Sequence, residues 1–126
     1  MKKKLFGNLL MVLIAVFINS CQWVTIDLPS VDIPDDQEVS FATDIQPIFN
    51  AKCTDCHSAS SPPKGIDLTE GHAYNTISTK ELADTVAPSS SLIYAVPSPT
   101  GTHSSKYSNE QAAYVLKWIE QGAKDN

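Results

Sequence analysis

Residues 41–57 read FATDIQPIFNAKCTDCH, and this stretch decides the fold of the chain. Its first part predicts a helix over residues 44–52 that is capped by Thr43, with Pro47 in the first turn, where a missing N–H costs little. One apolar stripe at positions i, i+3, i+4 and i+8 runs along this helix and ends on a cysteine: Ile45, Ile48, Phe49 and Cys53. The helix therefore leads from the core directly into the motif at residues 53–57.

That motif, Cys53-Thr54-Asp55-Cys56-His57, has the C-x-x-C-H spacing of covalent c-type haem attachment. Two thiols on a tight turn reach the two vinyl groups of haem, and the histidine that follows is held under the iron as its proximal ligand. A thioredoxin-like redox motif would need a βαβ setting, and a closed zinc site would need a second paired cluster. The sequence offers neither, so we predict one covalent haem c bound by Cys53, Cys56 and His57.

The N-terminus has the pattern of an export signal. Residues 2–4 are lysines and residues 9–18 read LLMVLIAVFI, an apolar run that is short for a membrane span. A retained anchor helix is the alternative interpretation. Ile18-Asn19-Ser20-Cys21 resembles a bacterial lipobox, which predicts a lipoprotein signal peptide over residues 1–20 and lipidation of Cys21. Lipidation would leave Cys53 and Cys56 as the only free cysteines of the exported chain and hold it on the membrane.

Charge and composition limit the classes of function. The 126 residues contain 9 lysines, no arginine and 14 acidic residues, and residues 21–126 alone have a net charge of 6 − 14 = −8, which argues against nucleic-acid binding. Residues 22–38 hold five acidic residues, two prolines and no lysine, which predicts that residues 21–38 are a lipidated cysteine and an acidic tether. A short strand or membrane patch around residues 23–28 is the alternative. Residues 39–126 are then a single small domain with a net charge of 6 − 9 = −3.

The rest of the domain is predicted to be helical. Two short helices are expected over residues 71–77 and 89–95, and the clearest helix follows the capping-box pattern Ser108-Asn109-Glu110-Gln111 and stops at Gly122. Its apolar stripe is Ala112, Val115, Leu116 and Ile119, with Tyr114 and Trp118 as an aromatic pair beside it. No segment of the domain alternates as a strand, so the predicted fold class is all-α.

Four motifs together carry a family resemblance: F-x-x-D-I-Q-P-I-F-x-x-K-C-x-x-C-H at residues 41–57, G-I-D-L at 65–68, S-L-I-Y at 91–94 and W-I-x-x-G-A at 118–123. They resemble the small, membrane-tethered monohaem cytochrome c domains of Bacteroidetes-type lipoproteins, and the likeness covers nearly all of residues 40–124. The resemblance implies a class I cytochrome c-like fold, with three to four short helices around one haem and the first and last helices crossing. It also implies electron carriage and no catalysis.

The sixth iron ligand is the open question. Methionine is the usual distal ligand in that family, but Met1 and Met11 are the only methionines and both lie in the predicted signal peptide. His103 follows His57 by 103 − 57 = 46 residues and lies in the loop at residues 97–107, where relatives often carry a ligand loop. His103 is therefore the candidate distal ligand. His72 and an open site, bound by water or by Lys106, are the alternatives.

These observations predict an envelope protein that faces the periplasm and passes single electrons between redox protein partners. Whether the inner or the outer membrane holds the lipid stays open. The rival hypothesis is a five-coordinate haem domain that binds or senses a gas, or acts as a weak peroxidase, because an open distal position is what that chemistry needs. A third is a tethered subunit whose haem stays inside a larger complex.

Overall fold

The protein is described by a computed structural model that covers residues 31–58 and 60–126. Within these ranges the chain is helical and has no strand, which confirms the all-α prediction. Helix α1 spans Gln46–Lys52, α2 spans Ala73–Thr79, α3 spans Leu92–Ala95 and α4 spans Asn109–Glu120. A π-helical turn, Phe41–Ile45, leads into α1, and short 3-10 turns occupy Pro63–Gly65 and Pro88–Ser90. In the same part of the chain, no helix has the length and hydropathy to cross a bilayer.

The first helical segment begins earlier than predicted, and its cap is Ser40, not Thr43. The Ser40 hydroxyl accepts a hydrogen bond from the Thr43 N–H at 3.3 Å, while the Ser40 N–H donates to the Asp44 carboxylate at 2.8 Å. Asn126 satisfies two further N–H groups of this turn, those of Phe41 and Ala42, each at 2.9 Å. The helix can start with Phe41 because these partners pair the N–H groups that its first turn leaves free.

The two middle helices are displaced from their predicted positions. Residues 71–72 precede α2, which runs two residues past Ile77, the predicted end. The predicted helix at 89–95 is two pieces, because the Ser91 backbone is extended (ψ 131°) between the 3-10 turn and α3. The Ser91 hydroxyl, buried here, bonds to the main chain of Asp84 and ties the two pieces to the preceding loop. This tertiary bond competes with a continuous helix.

The last helix, α4, is capped as predicted at both ends. The Ser108 hydroxyl accepts from the Gln111 N–H at 3.1 Å, and the Gln111 side chain accepts from the Ser108 N–H at 2.9 Å. At the other end Gly122 adopts a φ of 101°, which is open to glycine. The Ala123 N–H then bonds back to the Trp118 carbonyl and the Gly122 N–H to Ile119, both at 2.9 Å. Local sequence chemistry therefore fixes the length of this helix.

Aromatic rings join α4 to the first helical segment. Phe41 lies 5.3 Å from Trp118, 5.4 Å from Tyr74 and 6.2 Å from Phe49, measured between ring centroids. Trp118 is 1 % exposed and belongs to the centre of the core, whereas the sequence placed it beside the stripe. The predicted stripe of the first helix is confirmed, because Ile45, Ile48 and Phe49 are all buried. Leu116, predicted to be core, is half-buried.

An N-terminal arm, residues 35–39, docks on the far end of α4. The Gln121 side-chain amide donates to the Gln37 carbonyl at 2.8 Å and accepts from the Val39 N–H at 2.9 Å. The predicted tether therefore already contacts the domain over its last residues, before the boundary set at residue 39. Two exposed ion pairs lie on either side of this contact: Asp35 with Lys117 at 3.1 Å and Glu38 with Lys124 at 3.3 Å.

Candidate functional site

The C-x-x-C-H residues form one tight turn at the C-terminal end of α1. The Cys53 N–H bonds to the Phe49 carbonyl at 2.8 Å, and the Cys53 carbonyl accepts from the N–H groups of Cys56 and His57 at 3.1 and 2.8 Å. Cys53 is half-buried and packs against the core, whereas Cys56 is exposed, and the two thiols are not joined in a disulfide. The turn thus holds both sulfurs and the imidazole at one end of the helix.

The environment of Cys53 does not suit a redox-active thiol. Burial raises the pKa of this thiol to about 11, against the weaker opposing effect of the Lys52 ammonium. Redox-active C-x-x-C motifs depend on a lowered cysteine pKa, which makes the thiolate available near neutral pH. The burial of Cys53 therefore lends no support to a thiol–disulfide role for this motif.

His57 is held at its ring and at its main chain. Its Nδ1 lies 2.9 Å from the Ile66 carbonyl and donates to it, and the His57 carbonyl accepts from the Leu68 N–H at 2.9 Å. Lys64 and Gly65, with φ values of 56° and 66°, turn the chain back so that the Ile66 carbonyl meets this ring. With Nδ1 occupied as a donor, Nε2 is left as the nitrogen that can bind a metal.

His103 is presented by the loop at residues 97–107. The His103 N–H bonds to the Val96 carbonyl at 3.1 Å, and the Tyr107 N–H bonds to the Pro97 carbonyl at 2.8 Å, which closes the loop. The Ser105 hydroxyl donates to the Lys52 carbonyl at 2.9 Å. This bond brings the loop against the end of α1, one residue before the first motif cysteine.

The ring of His103 has the same kind of main-chain partner as the ring of His57. Its Nδ1 lies 2.9 Å from the Ser105 carbonyl and 3.2 Å from the Ser105 N–H, and one nitrogen cannot donate to the first while accepting from the second. Metal binding through Nε2 requires the tautomer in which Nδ1 carries the proton and donates to the Ser105 carbonyl. In this tautomer Nε2 is unprotonated and free to act as a ligand.

The structure brings His57 and His103 together. Their ring centroids are 6.0 Å apart and their planes are inclined by 32°. An imidazole nitrogen lies about 2.0 Å from a transition-metal ion that it ligates, so two imidazoles on opposite sides of one ion have ring centres roughly 6 Å apart once the size of each ring is added. The observed spacing therefore fits a pair of axial ligands. In the described ranges, this site included, no group of three or more histidine, cysteine or acidic side chains is placed to hold a metal ion.

The other candidate ligands lie in different surroundings. His72 is exposed, immediately before α2, with its Nδ1 3.5 Å from the Thr69 hydroxyl. Lys106 is also exposed, and its ammonium lies 3.4 Å from the Pro99 carbonyl. Neither is paired with His57 in the way that His103 is. Cys21, the predicted lipidation site, and Met1 and Met11 lie outside the described residues.

The sequence does not predict the roles of two residues of this site. Ser105 is one serine among several in a loop, and Gln46 is the glutamine of the motif at residues 41–57, to which the sequence attaches no role. Gln46 is nevertheless 5 % exposed and donates to the Leu68 carbonyl at 3.0 Å. Both roles depend on contacts between segments that are distant in the chain.

Comparison with protein-family models, curated proteins and solved structures finds no significant match.

Proposed function

We propose that the chain binds one haem c through thioether bonds from Cys53 and Cys56, with His57 and His103 as the axial ligands of the iron. The observation that carries this proposal is the 6.0 Å spacing of the two imidazoles beside the C-x-x-C-H turn. A zinc ion would need four protein donors placed around it, and in the described ranges no group of three or more histidine, cysteine or acidic side chains is so placed, whereas a porphyrin itself supplies four ligands to its iron. The finer fold that we propose is class I cytochrome c-like, in keeping with the packing of the first helical segment on α4.

The proposed activity is the transfer of single electrons between redox protein partners. Haem supplies the one-electron couple of its iron. The residues of the chain do the rest: the turn at 53–57 fixes the porphyrin edge, and the carbonyls of Ile66 and Ser105 orient the two imidazoles. These Nδ1–H bonds also make each imidazole a stronger donor, which favours ferric iron. No acid–base or nucleophilic step is required, so we propose that the protein is an electron carrier and not an enzyme.

We further propose that the protein is a lipoprotein of the bacterial cell envelope that faces the periplasm. The support comes from the sequence: a charged and apolar export signal, Cys21 in a lipobox-like setting and an acidic segment after it. Haem is attached covalently after export in such proteins, which agrees with a C-x-x-C-H motif on an exported chain. The net charge of −8 over residues 21–126 gives no basis for a nucleic-acid partner.

Expression with a c-type haem maturation system, followed by mass measurement and absorption spectroscopy, tests the function. A mass increase of one haem that survives denaturation, and a low-spin spectrum that CO does not change in the reduced protein, are expected. A chain that acquires no covalent haem would overturn the proposal. Rapid CO binding at neutral pH would instead favour the gas-binding or weak peroxidase function, because it requires an open iron position.

A further inference from the structure

Gln46 occupies an unusual position for a polar side chain. It is 5 % exposed, in the first turn of α1, and its side-chain nitrogen donates two hydrogen bonds. One goes to the Asn50 side chain at 2.9 Å and the other to the Leu68 carbonyl at 3.0 Å. A polar group is expensive to bury unless it is paired, and the second bond joins two segments that are 22 residues apart.

The segment that Gln46 holds is the one that holds His57. Ile66 accepts the hydrogen bond from the imidazole, and Leu68 donates to the main-chain carbonyl of the same histidine, both at 2.9 Å. Asp67, between them, accepts from the Thr69 hydroxyl and N–H, which lowers the pKa of its carboxyl and keeps the turn compact. The segment at 66–68 therefore acts as a clip that holds His57. The hydrogen bond from Gln46 to the Leu68 carbonyl attaches this clip to α1.

We propose that Gln46 is a positioning residue that sets the orientation and the electron donation of His57 through this clip. The inference rests on the proposed haem function. Helix α1 carries Gln46 near its start and leads into Cys53, about 10 Å further along the axis. One rigid element would thus position both a thioether attachment and the carbonyl that orients the proximal imidazole. Neither contact of Gln46 involves the iron ligand directly, so its effect passes through the main chain of residues 66–68.

The direction of the effect follows from the Nδ1–H bond. A short bond to the Ile66 carbonyl increases the basicity of the imidazole and stabilises ferric iron. Removing the amide leaves the Leu68 carbonyl without its partner, which loosens the clip and lengthens the Nδ1–H bond. Ferrous iron then becomes relatively more favourable and the midpoint potential rises.

The first test is Gln46→Leu in the full, haem-loaded protein, with Asn50→Ala as the matched control. The control removes the other acceptor of the same amide and leaves the bond to Leu68 intact. We expect Gln46→Leu to raise the ferrous-to-ferric ratio at a fixed electrode potential by up to about tenfold, which is about 59 mV for a one-electron couple. The g-values of the ferric protein, which report the orientation of the axial imidazoles, should change with it. Asn50→Ala should keep both properties of the wild type.

A second variant, Gln46→Glu, separates positioning from general damage to the fold. A protonated carboxyl can donate to the Leu68 carbonyl, whereas a carboxylate cannot. Residue 46 lines an open cavity of about 420 Å³, so the introduced group can exchange protons with water. The charged side chains of that cavity, Glu70 and Asp125, are acidic and would raise its pKa. The g-values and potential should therefore return towards wild type as the pH falls, while those of Gln46→Leu should differ from wild type at every pH.

Unchanged potential and g-values in haem-loaded Gln46→Leu would overturn the inference while leaving the haem function intact. If Gln46→Leu fails to mature, Gln46→Glu decides alone: a difference from wild type that does not diminish at low pH would count against positioning. Absence of covalent haem from the wild-type protein is a different outcome, which would remove the proposed function itself.

Discussion

The Ser105 hydroxyl donates to the Lys52 carbonyl across 53 residues of sequence, at 2.9 Å. The bond joins the loop that carries His103 to the end of the helix that carries Cys53. Because the His103 ring also bonds to the main chain of Ser105, a single residue fixes both the position of the loop and the direction of the imidazole. The pairing of the two histidines is thus built into the polypeptide.

Replacing Cys53 and Cys56 together by alanine should abolish covalent haem. Without the ring, part of the domain's core would be missing, and we expect the chain to be largely unfolded. Haem staining of a denaturing gel and circular dichroism measure the two effects. A stained band that persists in the double variant would contradict the motif assignment, and His72→Ala, which changes an exposed residue away from the turn, is the control.

His103→Ala should open the iron to CO or cyanide, because it removes one of the two axial imidazoles. The matched control is His72→Ala, which should leave the spectrum low-spin. His103→Met should raise the midpoint potential, since a thioether favours ferrous iron more than an imidazole does, and should add a near-infrared band if the sulfur binds. A low-spin spectrum and an unmoved potential in His103→Ala would redirect the search to His72 and Lys106.

Tyr107→Phe should change how stability depends on alkaline pH. The Tyr107 hydroxyl donates to the Ile93 carbonyl at 2.8 Å, and burial raises the pKa of this group well above 10. The folded state therefore favours the neutral phenol, and this stabilisation is complete below about pH 10, the unfolded value, and declines as the pH rises towards the folded pKa.

Denaturation by urea between pH 7 and pH 11 tests this for the haem-loaded protein. At neutral pH, Tyr107→Phe should cost about 1 to 3 kcal/mol, because the Ile93 carbonyl loses its partner. Above about pH 10, its free energy of unfolding should fall less steeply than that of the wild type. Parallel slopes in Tyr107→Phe and the wild type would be evidence against this role.

Gln121→Ala should destabilise the domain more than the loss of a neighbouring ion pair. It removes the two hydrogen bonds that the Gln121 side chain makes to the main chain of Gln37 and Val39 in the docked arm. This loss should lower the free energy of unfolding by about 1 to 3 kcal/mol. Lys124→Ala breaks only the exposed pair with Glu38, which is worth less than about 1 kcal/mol. Urea unfolding of the two variants gives the comparison, and equal losses would show that the arm contributes little.

Cys21→Ala should release the protein from membranes or leave an uncleaved precursor. The reason is that the lipid is predicted to be attached to this thiol, and one short apolar run cannot replace it after cleavage. Fractionation with detergent, together with the mass of the N-terminal fragment, measures both outcomes. Membrane retention of a chain of mature length would rule out lipidation at this position.

The parts of the fold that sequence predicts are those decided by neighbours in the chain. The capping box of Ser108 and Gln111 and the stop at Gly122 depend on groups within a few residues of each other. Even there, local chemistry can be ambiguous: Ser40 and Thr43 are both acceptable caps, and the choice of Ser40 goes with the contact of its hydroxyl to the Asn126 carbonyl. The prediction of one continuous helix at 89–95 is wrong for the same reason, since the hydrogen bond between the Ser91 hydroxyl and the main chain of Asp84 accompanies a break in the helix.

The same distinction applies to the candidate site: local spacing predicts some of its residues, and contacts between distant segments determine the others. Cys53, Cys56 and His57 are recognisable because their spacing alone carries the chemistry. His103 was inferred by elimination of methionine and by its place before the last helix, and the structure adds the distance to His57. The role of the Ile66 carbonyl could not be predicted from the sequence, because its position depends on two consecutive residues with positive φ, one of which is a lysine.

The contact between the N-terminal arm and α4 has a kinetic consequence. The bond from the Val39 N–H to Gln121 closes a loop of 82 residues, and closing a flexible loop of that length costs about 4 kcal/mol of chain entropy plus a constant. Such distant pairings form late, after local helices. Until α4 and the last residues pack against it, the first helical segment lacks its contacts with Trp118 and Asn126. If the chain binds haem as we propose, this order of folding leaves an interval in which haem can be attached at the 53–57 turn before the domain closes.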